Sequence, residues 1–292
     1  MKVINFGSLN IDYSFTVDHL VNPGETESSN SFIITCGGKG LNQSVALKRA
    51  GIDVIHAGLV GRKDSKIILD LLKKENIDIS YIKKKNTNTG AAFIQVDKHG
   101  ENNIVLNGGA NHQIDNKFVD SILNNFSEND YIVIQNEISS LEYIMNKAYE
   151  KKMRIIFNPS PMNEKVLSLP LDKVYMFFLN NYESSFLAGS KKDVLEKLIS
   201  KYKNSQFVIT NGSKECLYYD LHTIYKESPM KIEPVDTTAA GDTFLGYFLA
   251  SYIRCKKRPL LIANTASGLA CLKRGASVSI PYLKEVEDKI KE

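Results

Sequence analysis

Short apolar runs alternate with longer amphipathic stretches along most of the chain, and the alternation predicts strands and helices in turn. Strands are expected at 3–6, 53–60, 79–82, 131–135, 154–157, 174–179 and 207–210. Helices are expected from a glycine-rich turn at Gly37 to Ala50 and at 64–75, 115–126, 141–152, 192–202, 244–253 and 260–272. Elements in this order make βαβ units around a parallel sheet. Two regions break the rhythm with period-two alternation. Segments 13–17 and 31–35 flank turn residues Asn22 to Thr26, and 91–96 and 102–106 flank Asp97-Lys98-His99-Gly100. They predict a small antiparallel sheet standing off the main one. Segments 216–219 and 223–225 read as another antiparallel pair. Pro159 and Pro161 must take the chain out of the sheet, because proline cannot continue a central strand. No linker, repeat or low-complexity tract divides residues 1–292, so one domain with a discontinuous lid from about 12–35 and 90–107 is expected.

Composition adds boundaries rather than detail. With 43% apolar and 24% charged residues over 292 positions, the chain has the make-up of a soluble protein with a sizeable core. The formal charge of +4 is slight, and most lysines fall among acids, so no nucleic-acid footprint is predicted. Cys36, Cys216, Cys255 and Cys271 are scattered without CxxC spacing or a Cys/His cluster, which predicts reduced thiols in a cytoplasmic protein and no zinc site. The N-terminus begins as a strand, and neither a signal peptide nor a membrane span is expected.

The chemistry is organised around Val235 to Gly246, which reads Val-Asp-Thr-Thr-Ala-Ala-Gly-Asp-Thr-Phe-Leu-Gly. Ala239, Ala240 and Gly241 precede an apolar helix, where backbone N–H groups lack helical partners. Such a turn attracts an anion through its amides and the helix dipole, and small side chains let a phosphate come close. Asp242 stands in that turn and has two readings. It is an N-cap, or it is a general base that takes a proton from a hydroxyl while nearby amides steady a transferred phosphoryl group. A second stretch, Gly37-Gly38-Lys39-Gly40-Leu41-Asn42-Gln43, opens a helix. It is not a Walker A loop, since no Ser or Thr follows the lysine, and alone it is compatible with a tight strand-to-helix turn. Gly7-Ser8-Leu9-Asn10-Ile11-Asp12 sets polar groups past the first strand, at the edge where open α/β sheets bind ligands. That segment lacks GxGxxG, which excludes a Rossmann dehydrogenase.

Taken together and in this order, the Gly37 loop and the Asp236 to Asp242 stretch resemble the two signature motifs of the ribokinase family of carbohydrate kinases. Further matches are Gly7 to Asp12, Pro23-Gly24-Glu25-Thr26, Gly100-Glu101-Asn102, Gly109-Ala110-Asn111, Asn158-Pro159 and Asn180-x-x-Glu183, which extend the resemblance from residue 3 to about residue 281. It implies a Rossmann-like three-layer α/β/α ribokinase-like fold with a small β-sheet lid, and transfer of the ATP γ-phosphate to a sugar hydroxyl. By similarity Asp242 is the base, and the N–H groups of Ala240, Gly241 and Asp242 form the anion hole. Asn10, Asp12, Gly38, Lys39, Asn42 and Glu137 fall where the family holds its sugar. Carboxylates and amides suit the vicinal hydroxyls of a polyol, and a turn or cap is the competing account of Asn10 and Asp12. Asn180 and Glu183 match a motif associated with Mg²⁺ and phosphate through water. Thr210, Gly212, Ser213 and Gly241 fall where the nucleotide is contacted. Asp236, the carbonyls of Thr238, Ala270, Lys273 and Gly275, and the Ser279 hydroxyl resemble a site for K⁺, although Asp236 could simply cap a turn.

Three positions depart from the family pattern: Glu215 stands where a glycine is common, and Lys63 and Lys66 replace an acid and a glycine. The expected reaction is ATP-dependent phosphorylation of D-ribose to D-ribose 5-phosphate. Its rivals are a kinase for another sugar or a nucleoside on the same fold, and a non-catalytic sugar-binding regulator. Sugar and ATP are the expected partners, with neither nucleic acid nor membrane, and exposed lid edges predict a homodimer.

Overall fold

Two sheets organise the computed structural model, which describes residues 1–291. The chain begins with β1 (Val3–Phe6), β2 (Asn10–Thr16) and β3 (Ser31–Gly37), followed by α1 (Lys39–Arg49), β4 (Val54–Gly61), α2 (Lys66–Lys74) and β5 (Asp78–Lys85). Next come β6 (Gly90–Val96), β7 (Asn102–Asn107), α3 (Asn116–Leu123), β8 (Tyr131–Gln135), α4 (Leu141–Glu150), β9 (Arg154–Asn158) and β10 (Met176–Asn180). The remainder is α5 (Asn181–Ala188), α6 (Val194–Lys201), β11 (Gln206–Asn211), β12 (Lys214–Tyr219), β13 (Ile224–Glu227), α7 (Ala240–Ile253), α8 (Pro259–Cys271) and α9 (Leu283–Lys291).

The larger sheet has nine strands in the order β13-β12-β11-β10-β9-β8-β1-β4-β5. Strands β11 through β5 are parallel, and β12 and β13 add an antiparallel end. Alternate residues of each central strand feed opposite faces, as a two-residue period requires. Val3, Val54, Val133 and Ile156 join the core beneath α1, α7 and α8. Ile4, Phe6, Ile132, Ile134 and Phe157 join a second core with α3, α4 and residues of α5 and α6. This is the three-layer α/β/α arrangement. Helix α7 lies so deep that every residue from Asp242 to Ser251 is buried, which its near-continuous apolar sequence allows. The smaller sheet has the order β3-β2-β6-β7, with β2 and β6 parallel and the outer pairs antiparallel.

Three local expectations need correction. The strand at 79–82 runs longer, from Asp78 to Lys85, because β5 is an edge strand whose last three residues, Lys83 to Lys85, carry no apolar pattern. A helix not expected from periodicity, α5, follows β10 directly. Its start is set by a capping box: Asn180 Oδ1 accepts from the Glu183 amide at 2.8 Å, and Glu183 Oε2 accepts from the Asn180 amide at 2.9 Å. The strand expected at 13–17 begins at Asn10, so the turn or cap that competes as an account of Asn10 and Asp12 is not what the fold shows. They lie within β2, where backbone pairing to β3 and β6 holds them on one face of the smaller sheet.

Candidate active site

Strand β1 stands between β4 and β8, where the chain reverses its direction of travel across the sheet. Reversal opens a crevice at the carboxyl ends of the strands, where ligands bind in folds of this kind. Beside it, at the carboxyl ends of β9, β10 and β11, a cavity is lined by Lys39 of α1, Asn158, Ser160, Asn180, Glu183 and Thr210, and by Thr237 and residues Ala239 to Asp242 at the mouth of α7.

Asp242 is the third residue of α7. It does not cap its own helix. The N-cap is Ala239, held in the left-handed region at φ 59°, and the Asp242 carboxylate turns to α1, where Oδ1 accepts from Gln43 Nε2 at 2.8 Å and Oδ2 from Asn42 Nδ2 at 3.1 Å. Its side chain is only 7% exposed and lines the cavity. At the helix mouth the Ala240 amide donates to the Thr237 carbonyl at 3.2 Å, whereas the amides of Gly241 and Asp242 have no hydrogen-bond partner among the described residues. A side chain at Gly241 would project into open space, so the glycine keeps the approach to those amides clear.

The loop before α1 closes against the end of β8. Gly38 takes φ 91°, which glycine adopts without strain, and this turns the chain so that Lys39 opens the helix. The Lys39 amide donates to Glu137 Oε2 at 3.0 Å, and the Ser8 hydroxyl donates to the same oxygen. Gly37 has a different reason: any Cβ there would overlap the Asp12 carboxylate. Asn10 Oδ1 accepts from Asn111 Nδ2 at 2.8 Å. Asn42 donates to Asp242 but keeps its own Oδ1 buried without a partner, an acceptor that costs free energy unless a ligand donor reaches it.

Charge is concentrated here. Burial raises the carboxyls of Asp242, Glu137 and Glu183 above the usual range. Burial also works against the Lys39 ammonium, yet Asp242, Glu137 and Glu183 together hold its pKa above the ordinary value. Asp12 is pushed up to about 7, by burial first and by Glu137 second.

With this geometry in view, a family model described as pfkB family carbohydrate kinase matches residues 1–283. The chain belongs to this family. The ribokinase of Schizosaccharomyces pombe is 30% identical over 98% of this chain and 97% of its own length. The ribokinase of Staphylococcus aureus is 31% identical over 98% of each. Among solved structures, ribokinase from Cryptococcus neoformans in complex with ADP superposes with a TM-score of 0.85 at 31% identity, covering 99% of both chains.

Within this pfkB-family chain the expected site residues do not all converge. Lys39 is bonded to Glu137 and Asn42 to Asp242, the Asn42 backbone amide also donates to the Gly38 carbonyl at 3.0 Å, and Asn10 and Asp12 lie on β2 against Gly38 and Gly37. Asn180, Glu183, Thr210, Ala240 and Gly241 share the cavity wall. Gly212 and Ser213 lie apart from that wall, in an exposed turn before β12. The Asp236 carboxylate bridges two segments, accepting from the Thr238 and Gly275 amides at 2.9 Å each, and despite burial these bonds hold its pKa below the ordinary value. Around it the Ala270 carbonyl accepts from the Lys273 amide at 3.1 Å, and Ser279 donates to the Ala276 carbonyl at 2.9 Å. The departing residues are on the surface: Glu215 pairs with Lys226 at 3.3 Å, Lys66 pairs with Asp70, and Lys63 lies in the turn before α2.

Gln43, Ser160 and Thr237 were not expected in the site. The motif already contained Gln43, and its signal was an amide pair, Asn42-Gln43, on the stretch of α1 buried from Gly40 to Leu47. Ser160 and Thr237 carry no distinguishing signal beyond their neighbours.

Proposed function

We propose that the chain transfers the γ-phosphate of ATP to a sugar hydroxyl, with D-ribose as acceptor and D-ribose 5-phosphate as product. The observation that carries this reading is the buried Asp242 carboxylate at an open helix mouth, opposite a floor of amides and carboxylates suited to vicinal hydroxyls. Asp242 accepts the hydroxyl proton as the sugar oxygen attacks the γ-phosphorus. The amides of Gly241 and Asp242, with Ala240 behind them, stabilise charge on the transferred phosphoryl group. Asn10, Asp12, Gly38, Lys39, Asn42 and Glu137 hold the sugar. Lys39 is the one cation among the residues lining the cavity, which favours a neutral pentose over a sugar phosphate. Asn180, Thr210 and Gly241 face the nucleotide, with Gly212 and Ser213 at its outer end. Ribokinase identity in the relatives at about 30% supports ribose over other sugars.

The donors present fit a divalent cation. Three buried carboxylates surround one ammonium, so the cleft holds an excess of negative charge, and Mg²⁺ keeps most of its waters and needs few protein ligands. Glu183 with Asn180 would hold it, and when bound it would neutralise charge on the phosphates. A monovalent cation suits Asp236 with the carbonyls of Thr238, Ala270, Lys273 and Gly275 and the Ser279 hydroxyl. Asp236 already draws Thr238 and Gly275 together, and K⁺ there would stiffen the turn feeding α7. We further infer one domain whose four-stranded sheet acts as a lid that keeps water from the donor. The outer face of that sheet pairs two copies into a homodimer.

A coupled ADP-release assay across ribose, deoxyribose, fructose and nucleosides, with and without K⁺, tests the reading. Highest kcat/KM for ribose is expected. Faster turnover of another acceptor would replace ribose, and thermal stabilisation by sugar without any turnover would favour a binding regulator.

A further inference from the structure

Behind Asp242 runs a chain of buried polar side chains that crosses the central sheet. Gln43 Nε2 donates to Asp242 Oδ1 at 2.8 Å and to Asn158 Oδ1 at 3.3 Å. Gln135 Nε2, at the end of β8, donates to Gln43 Oε1 at 2.7 Å and to Asn5 Oδ1 at 3.0 Å. Asn5 Nδ2, in β1, donates to the Gly40 carbonyl at 2.7 Å and to Ser44 Oγ at 2.9 Å, and Ser44 Oγ lies 2.8 Å from His56 Nδ1 on β4. Asn5, Gln43, Ser44, His56 and Gln135 are fully buried.

The chain has a direction. Both hydrogens of Gln135 Nε2 are engaged, so Gln43 must present its oxygen to Gln135 and its N–H to Asp242. Turning the Gln43 amide over would set nitrogen against nitrogen on one side and oxygen against a carboxylate on the other. Burial pushes His56 down to about 4, so the far end is neutral at physiological pH and brings no competing charge. The front of Asp242 is less constrained. Oδ2 has only the longer bond from Asn42, whose own Oδ1 is unpartnered, so Asn42 is free to exchange partners when a hydroxyl arrives.

We propose that Gln43 and Gln135 are positioning residues for phosphoryl transfer: Gln43 locks Asp242 Oδ1 so that Oδ2 faces the acceptor hydroxyl, and Gln135 locks Gln43. The proposal rests on Asp242 being the base. The hydroxyl hydrogen passes to Oδ2 while the sugar oxygen bonds to the γ-phosphorus and ADP leaves.

The test compares Gln43→Met and Gln135→Met, which keep side-chain length and lose the amide, with wild type and Asp242→Asn. Each is assayed for kcat and KM over pH, for sugar binding without ATP by calorimetry, and for thermal midpoint. The charged groups facing Asp242 are Lys39 of α1, Glu137 after β8 and Glu183 of α5, and all are retained. Losing an N–H donor favours the protonated carboxyl, so the acid limb of kcat should move to higher pH. Gln43→Met should lower kcat by ~10–100-fold, the range for a hydrogen bond to a charged group, with sugar affinity within about threefold. Gln135→Met should act in the same direction, by ~3–10-fold, because it acts through Gln43. If Gln43→Met does not fold, Gln135→Met decides. Wild-type kcat and an unmoved acid limb in the variants overturn the proposal, as does a fall in kcat that follows only the thermal midpoint. Failure of the base assignment itself is distinct: it shows as full activity in Asp242→Asn or as no turnover of any sugar by wild type.

Discussion

The two sheets meet solvent in opposite ways. In the nine-stranded sheet, helices cover both faces, and even the polar residues Asn5, His56 and Gln135 are fully buried and joined to one another or to α1. In the four-stranded sheet, Tyr13 stacks on Phe93 at 5.2 Å and Phe15 on Phe32 at 4.8 Å, yet Phe32, Ile34, Phe93 and Val105 remain 43–67% exposed. The site bridges this contrast. Asp242 is gripped by α1 with the main sheet behind it, while Asn10 and Asp12 sit where β2 enters the smaller sheet. A close-packed interior resists displacement, whereas a sheet with few buried contacts can shift. Substitutions on the rigid side should therefore act on kcat, and substitutions on the exposed side should act on sugar affinity or assembly.

The largest expected effect is on the rigid side. Asp242→Asn should keep sugar binding and lower kcat by ~10²–10⁴, the usual contribution of a general base. Equal losses in kcat and in sugar affinity, by rapid kinetics and calorimetry, would erase the division between the two regions. Next comes Asp12→Asn, across the junction. It should raise the sugar KM by ~10–100-fold, the loss of a charged hydrogen bond, with kcat changed less than about threefold. It also has a signature in pH. The folded-state pKa of Asp12 is raised to about 7 from 3.8, so this group's stabilising contribution is complete below about pH 4 and is lost as pH rises toward 7. Wild type should then lose thermal stability relative to Asp12→Asn between pH 4 and 7, by up to roughly 4 kcal/mol. A difference that stays constant over that range would show that Asp12 is more solvated than its burial implies.

How much of this was legible depends on which signal a residue left. The alternation of strand and helix predicted the parallel sheet because buried strands are short apolar runs and each helix has one apolar face. Helix α5 escaped because its opening, Asn180-Asn181-Tyr182-Glu183, is polar and matches a motif associated with Mg²⁺ and phosphate. Asn and Glu three apart is equally a capping box, and in the fold it is one. The strand expected at 13–17 leaves out Asn10 and Asp12, although Asn10-Ile11-Asp12-Tyr13 already alternates as a strand does. The small residues before α7 marked the open helix mouth, and the Gly37 loop marked Lys39 and Asn42. The amide chain behind Asp242 left almost no trace. Asn5 and His56 each look like a single polar interruption of a strand and Gln135 like the polar end of one, and only the pairing of β1 with β4 and β8 shows that they neighbour one another.

The smallest expected change in catalysis tests the exposed side of the comparison. Phe32, Ile34, Phe93 and Val105 make one apolar face, because residues opposite each other in register, Tyr13 with Ile34 and Phe93, and Phe93 with Val105, project the same way. An exposed face of this kind is stable when a second copy covers it, which is the ground for the proposed dimer. Phe93→Lys would place a charge at its centre and should convert a species of twice the chain mass to single mass in sedimentation equilibrium, with kcat within about threefold of wild type. Wild type sedimenting at single mass at micromolar concentration would remove the dimer. A dimer lost together with more than tenfold of kcat would show that the smaller sheet holds its working shape only against a second copy, and the contrast between a rigid and an adjustable region would then belong to the assembly rather than to the chain.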